Sequence, residues 1–247
     1  MERGIDINAL DHNGLTAFDI ACRNEKCSFE AVKFLVDNGA DMTIVGREWM
    51  EPGFYYACKR FSLEEVKYLV DKGANLWDSG LLAACDRGHT KIGEFMIEKG
   101  ASNFEGALTG CLGSENANLE MVKLLVSNGI DLRQAREQLL LSITLMSKSK
   151  ESLEIVKFLV ENGVDVNQTN SSQDTCIHIG LDLSHVTLQV LEFIVPRMDN
   201  LNSKNVEEMT PLHMFCREGK QSRDGVKLLL EKGAVRSFYQ FILKNFS

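Results

Sequence analysis

The chain has 247 residues, of which 44% are hydrophobic and 25% charged, with a net charge of −8. That is enough apolar material for a folded core. The acidic balance, with a pI of about 5.2, argues against nucleic acid or an anionic membrane surface as the main partner. No apolar run approaches the ~20 residues of a membrane helix. Seven cysteines in an acidic chain whose first residues show no signal-like apolar stretch read as free thiols of a reducing, cytoplasmic compartment.

In chain order, Gly4-Ile5-Asp6-Ile7-Asn8 looks like the tail of an earlier unit. A short helix is predicted from Thr16 through Ala21-Cys22. A second follows at Glu30-Ala-Val-Lys-Phe-Leu-Val-Asp-Asn-Gly39, where Val32, Leu35 and Val36 share one helical face and Gly39 supplies a left-handed stop. The phrase returns at Glu64–Gly73, Lys91–Gly100, Glu120–Gly129, Glu154–Gly163, Gln189–Met198 and Asp224–Gly233. Its closing positions are separated by 34, 27, 29, 34, 35 and 35 residues. Seven copies at so regular a step define a repeat protein. Before each phrase stands another helix, clearest at Thr210-Pro211-Leu212-His213, where Thr caps the N-terminus and Pro fits the first turn. Thr175-Cys176-Ile177-His178 is a weaker version. Leu139–Leu145 is the candidate first helix of the fifth copy. Met198 replaces the closing glycine of the sixth just after Pro196, which predicts a distorted helix end there.

These motifs resemble the ankyrin repeat family. The resemblance rests on Thr210-Pro211-Leu212-His213, Gly163-Val-Asp-Val-Asn167, Gly39-Ala40-Asp41 and the recurrent Val-Lys-x-Leu-Val phrase, and it runs through essentially the whole chain. It implies an all-α solenoid of about seven helix pairs with turn fingers, forming a single domain over residues 1–247. The short steps leave no room for full fingers at Ala74–Gly80 and Ala101–Gly106, so repeats three and four are expected to be clipped. A closing helix is expected over 236–246, around Phe238–Leu243.

Chemistry-bearing residues fall on repeated positions. Cys22, Cys58, Cys85, Cys111 and Cys216 share one register, just after the small residue of the first helix. A catalytic cysteine would be singular and paired with a histidine, so these read as small buried hydrophobes. His178 and His213 share the tetrapeptide position, which in the family bonds the turn to its neighbour. There is no Cys-x2-Cys cluster, phosphate loop or Gly-x-Ser-x-Gly motif. No enzyme activity, metal or cofactor is expected.

The resemblance implies a protein-binding scaffold or adaptor, whose concave face displays the turn tips and the two positions after the first helix's small pair. Here those positions hold Arg23 and Asn24, Lys59 and Arg60, and Asp86 and Arg87, with Arg47 and Trp49 at a turn tip. Together they form a basic stripe suited to an acidic or phosphorylated protein segment. A regulatory or targeting segment of a larger enzyme, such as a kinase or ubiquitin-ligase subunit, is the alternative reading. The first pair lacks a predecessor in the sequence, so the protein is expected to be monomeric or to self-associate weakly through that edge.

Overall fold

A computed structural model describes residues 6–46, 50–132, 149–182, 187–218 and 223–234, with the side chains of 180–182 and 218 excepted. It contains thirteen α-helices among these residues: α1 Ala17–Arg23, α2 Phe29–Asp37, α3 Gly53–Arg60, α4 Leu63–Asp71, α5 Trp77–Arg87, α6 Thr90–Lys99, α7 Phe104–Gly113, α8 Leu119–Ser127, α9 Ser152–Glu161, α10 Cys176–Asp182, α11 Leu188–Ile194, α12 Pro211–Glu218 and α13 Arg223–Glu231. The only strand-like pairing among the described residues is an isolated bridge between Thr169 and Thr175. The first-helix segment at 139–145 and the closing helix at 236–246 lie outside the described residues. Two compact units emerge, the first within residues 1–111 and 123–128, the second within 112–122 and 129–247.

Helix ends follow local chemistry. Thr16 accepts from the Asp19 amide while the Asp19 carboxylate accepts from the Thr16 amide; Ser62 and Glu65 form the same reciprocal cap. At the other end, Gly39, Gly73, Gly100, Gly129, Gly163 and Gly233 all have φ between 93° and 112°. This left-handed turn lets the following amide reach back to the helix. Ala40 bonds the Leu35 carbonyl, and Ala74 bonds that of Leu69.

In the first unit, α1, α3 and α5 pack side by side, and α2, α4 and α6 pair with them. Val32, Val66, Leu69, Ile92 and Met96 from the repeated phrase are at most 3% exposed, each contributing about 1.5–3 kcal/mol of burial. Cys22, Cys58, Cys85 and Cys111 are fully buried, as their register predicts; Cys216 is only half-buried. Only residues 72–76 separate α4 from α5, and residues 100–103 separate α6 from α7.

In the second unit, α11 stops at Ile194 and tightens into a 3-10 turn at Val195–Arg197 around Pro196. Its turns share a design with the first turn of the other unit. Asp11, Asn170 and Asn205 each accept, through a side-chain oxygen, from the amides two and four residues on. The residue between those two amides has positive φ and is Gly14, Gln173 or Glu208. Two turns of the second unit are tied together: the Val206 amide donates to the Ser172 carbonyl (2.9 Å), and the Asn205 amide group donates to the Asp174 carboxylate (2.8 Å).

Candidate protein-interaction site

At Asp19 and His178 the tetrapeptide position links one helix pair to the next, in two chemical forms. In the second unit, His178 Nδ1 accepts from the Thr175 amide (3.2 Å) and lies 2.8 Å from its hydroxyl. That leaves the proton on Nε2, which donates to the Met209 carbonyl of the next copy (3.1 Å). In the first unit the position is Asp19. Its Oδ2 accepts from the Thr16 amide and hydroxyl (2.9 and 2.7 Å), and Oδ1 accepts from the Gly53 amide of the next copy (2.6 Å). Asp78, outside that register, also accepts from the next copy, at the Ser102 and Asn103 amides (2.7 and 2.9 Å). Burial holds the His178 imidazole below its ordinary pKa.

The proposed binding positions of the first unit gather on α1, α3 and α5, but the cations are not equally available. Arg60 donates to the carbonyls of Ala21 (3.2 Å), Cys22 (2.5 Å) and Cys27 (2.8 Å), and so closes off the C-terminal end of α1. Lys59 pairs with Asp86 and lies 5.3 Å from the centre of the Tyr55 ring. The guanidinium of Arg23 lies 4.7 Å above the Tyr56 ring and donates to the Glu51 carbonyl (2.6 Å), while its Nε is buried without a hydrogen-bond partner. Asn24 and Arg87 are exposed. Arg47 and Trp49 lie outside the described residues.

The basic stripe is therefore mixed. Two aromatic residues not anticipated from the sequence, Tyr55 and Tyr56, meet edge to face with ring centres 5.2 Å apart. Both are half-buried on the surface of α3, between the Arg23 and Lys59 cations. Burial and the Asp86 carboxylate push the Tyr55 hydroxyl above its ordinary pKa, and the two groups are 3.4 Å apart. The signal available in the sequence was spacing: Tyr55 with Lys59 and Tyr56 with Arg60 stand four apart, on adjoining stripes of one short helix.

The rest of the chemistry is structural. No three His, Cys, Asp or Glu side chains gather for a metal among the described residues. Burial raises the Cys22 and Cys58 thiols, and contact with Cys111 together with burial raises Cys85; thiols held protonated are poor nucleophiles. No described helix is long and apolar enough to cross a membrane.

Comparison with known proteins settles the family. A family model described as ankyrin repeats (3 copies) matches residues 139–236, and one described as ankyrin repeats (many copies) matches residues 1–36. Together they span more than half of the chain. The chain belongs to the ankyrin repeat family. The fold agrees: the crystal structure of the human ASB11 ankyrin repeat domain matches with a TM-score of 0.67 at 18% identity, covering 89% of this chain and 99% of that one. No curated protein matches the chain. Ankyrin repeats are, in general, protein–protein interaction modules.

Proposed function

We propose that this ankyrin repeat chain is a non-enzymatic cytoplasmic scaffold that binds a protein segment on the concave face formed by α1, α3 and α5 and the adjoining turn tips. The observation that carries this reading is the half-exposed strip of Tyr55 and Tyr56 with Arg23 and Lys59. These side chains fill no core, and aromatic residues with Arg are the residue types that anchor interfaces. Exposed Arg87, with Arg23 held over Tyr56, supports a partner bearing acidic or phosphorylated groups beside an apolar side chain. Asn24, Asp86 and the turn tip at Arg47 and Trp49 complete the proposed contact set. Arg60 stays in it only as a support, because its donors already hold the backbone of α1.

The test is selection of peptides from a displayed random library, including a phosphorylated arm, on the full chain. The reading predicts enrichment of sequences that combine carboxylates or phosphates with an aromatic or aliphatic residue. It also predicts that Arg87→Glu removes that enrichment. Selection of basic or charge-free peptides, or enrichment indifferent to Arg87→Glu, contradicts it.

A further inference from the structure

Four asparagines of the chain stand directly before a glycine: Asn13, Asn38, Asn128 and Asn162. In such a pair the glycine amide nitrogen can attack the asparagine side-chain carbonyl. No Cβ crowds the nitrogen, and closing a five-membered ring within one chain brings nucleophile and carbonyl together. The side-chain nitrogen is lost as ammonia, which is one reason asparagine counts among the thermolabile residues. The fold treats the four sites differently.

Three of them close helices. Asn38, Asn128 and Asn162 follow α2, α8 and α9, and each side-chain nitrogen donates to the carbonyl four residues back, on Phe34 (2.8 Å), Leu124 (2.8 Å) and Phe158 (2.7 Å). The Gly39 and Gly163 amides are bonded as well, to the Val36 and Val160 carbonyls (3.1 Å each). Ring closure there must undo a helix end. Asn13 lies instead in the first turn, outside any helix. Its side-chain nitrogen donates to the Asp11 carboxylate at 3.4 Å and lies 3.0 Å from Nε2 of His12. The Gly14 amide is held by a turn bond to the Asp11 carbonyl (3.0 Å) beside the exposed His12. Turn bonds near solvent open more readily than those that end a packed helix.

We infer that Asn13 is a site of spontaneous deamidation, with the His12 imidazole as its general acid. The Gly14 nitrogen bonds to Cγ of Asn13 and gives its proton to solvent. The bond from Cγ to the side-chain nitrogen breaks, and the Nε2 proton of an imidazolium at His12 passes to that nitrogen, which leaves as ammonia. Histidine is the side chain suited to such a transfer near neutral pH. One water then opens the ring, restoring the proton on the glycine nitrogen and leaving aspartate or isoaspartate at position 13. The net change consumes one water, releases one ammonia and involves no oxidation. It also alters the turn. Asp11 Oδ1 holds the turn by accepting from the Asn13 and Leu15 amides (2.8 and 2.9 Å), while Oδ2 faces the Asn13 side chain. Deamidation replaces that donor with a second carboxylate, so like charges meet. The following turn rests on this one: a Cβ on Gly46 would lie 3.0 Å from the Gly14 carbonyl oxygen. Gly46 immediately precedes Arg47 of the proposed contact set, so the modification is a slow, one-way change beside that set.

The experiment incubates the full chain at pH 7.5 and 37 °C for several weeks and maps its peptides by mass spectrometry, reading the gain of one mass unit and the isoaspartate at each asparagine. In the native chain Asn13 should convert at least fivefold faster than Asn38, Asn128 or Asn162. In urea, where the helix ends are lost, the other three should rise toward it. His12→Gln should slow conversion of Asn13 at least twofold and leave the other three sites unchanged. Asn13→Asp, which installs the charge outright, should speed hydrogen exchange at the Leu15 amide while leaving the far-ultraviolet circular dichroism unchanged. Conversion of Asn13 no faster than at the helix ends overturns the site. A rate indifferent to His12→Gln overturns the role of the imidazole, and unchanged exchange at Leu15 overturns the effect on the turn.

Discussion

The two units perform the same joining task with opposite polarity. In the first, Asp19 presents an acceptor to a backbone amide of the next copy. In the second, His178 presents a donor to a backbone carbonyl. Both keep the local bond to the capping threonine. The comparison shows that one repeat position accommodates either chemistry, provided that the neighbouring backbone offers the complementary group. The surfaces differ as well. The first unit crowds aromatics and cations on α1, α3 and α5, whereas the described turns of the second are bonded to one another.

Exchanging the two joints should break both. Asp19→His puts a ring N–H or a bare nitrogen lone pair where a buried carboxylate served three donors. His178→Asp faces a carboxylate toward the Met209 carbonyl. Each should cost about 3 kcal/mol or more, because buried groups are left unpaired, measured as a lower midpoint in urea. A swap that costs nothing would mean that the joint carries no stability.

A second contrast separates support from binding within the strip. Arg60→Ala should cost about 2 kcal/mol through the loss of charged donors to three carbonyls. Arg87→Ala, at an exposed site, should stay within about 0.5 kcal/mol. Equal costs would erase the distinction.

Acid should separate the units. His178 and His213 have pKa values lowered chiefly by burial, so the unfolded chain binds protons more readily than the folded one. Their contribution is complete above the ordinary histidine value of 6.5. It is lost as pH falls through that value toward the lowered folded one. In the first unit the lowered groups include Asp37, bonded to Lys33, Lys72 and Tyr68, and Asp11, bonded to the Leu15 amide. Their contribution persists until pH falls below the ordinary carboxylate range. Regional hydrogen exchange between pH 7.5 and 5 should show the α10 and α12 segments opening first. Earlier opening of α1–α4 would contradict this.

The smallest effect belongs to the turns. Gln173 and Glu208 hold φ near 60°, where the first turn has Gly14. Gln173→Gly and Glu208→Gly should each change stability by less than about 1 kcal/mol, toward stabilisation where relief of the left-handed backbone outweighs the added freedom of the unfolded chain. Gly14→Ala should destabilise by a similar amount. Thermal melts read both.

Much of this was legible in the sequence because the repeat is built from local chemistry. Glycine stops, threonine caps and the cysteine register each depend on residues a few positions apart, and the helices form where these signals place them. The fate of the cations was not legible. Whether Arg60 faces solvent or folds back depends on carbonyls 33–39 residues away in sequence, which become neighbours only when α3 stacks on α1. Tyr55 and Tyr56 were overlooked for the same reason: the place of Tyr56 beside Arg23 is set only when α3 stacks on α1. Cys216 shares a register with four buried cysteines but is half-buried, so register alone does not fix burial.

The account rests on the first unit carrying the binding surface. Its most direct test is the affinity of a selected peptide, measured by calorimetry, for Asn24→Asp with Arg87→Glu in the first unit and for Val206→Asp in the second. All three positions are exposed, so the fold is not at stake. The account predicts at least tenfold weaker binding for the first variant at low salt, narrowing as salt rises, and wild-type binding for the second. Wild-type affinity in the first variant, with loss in the second, would contradict it.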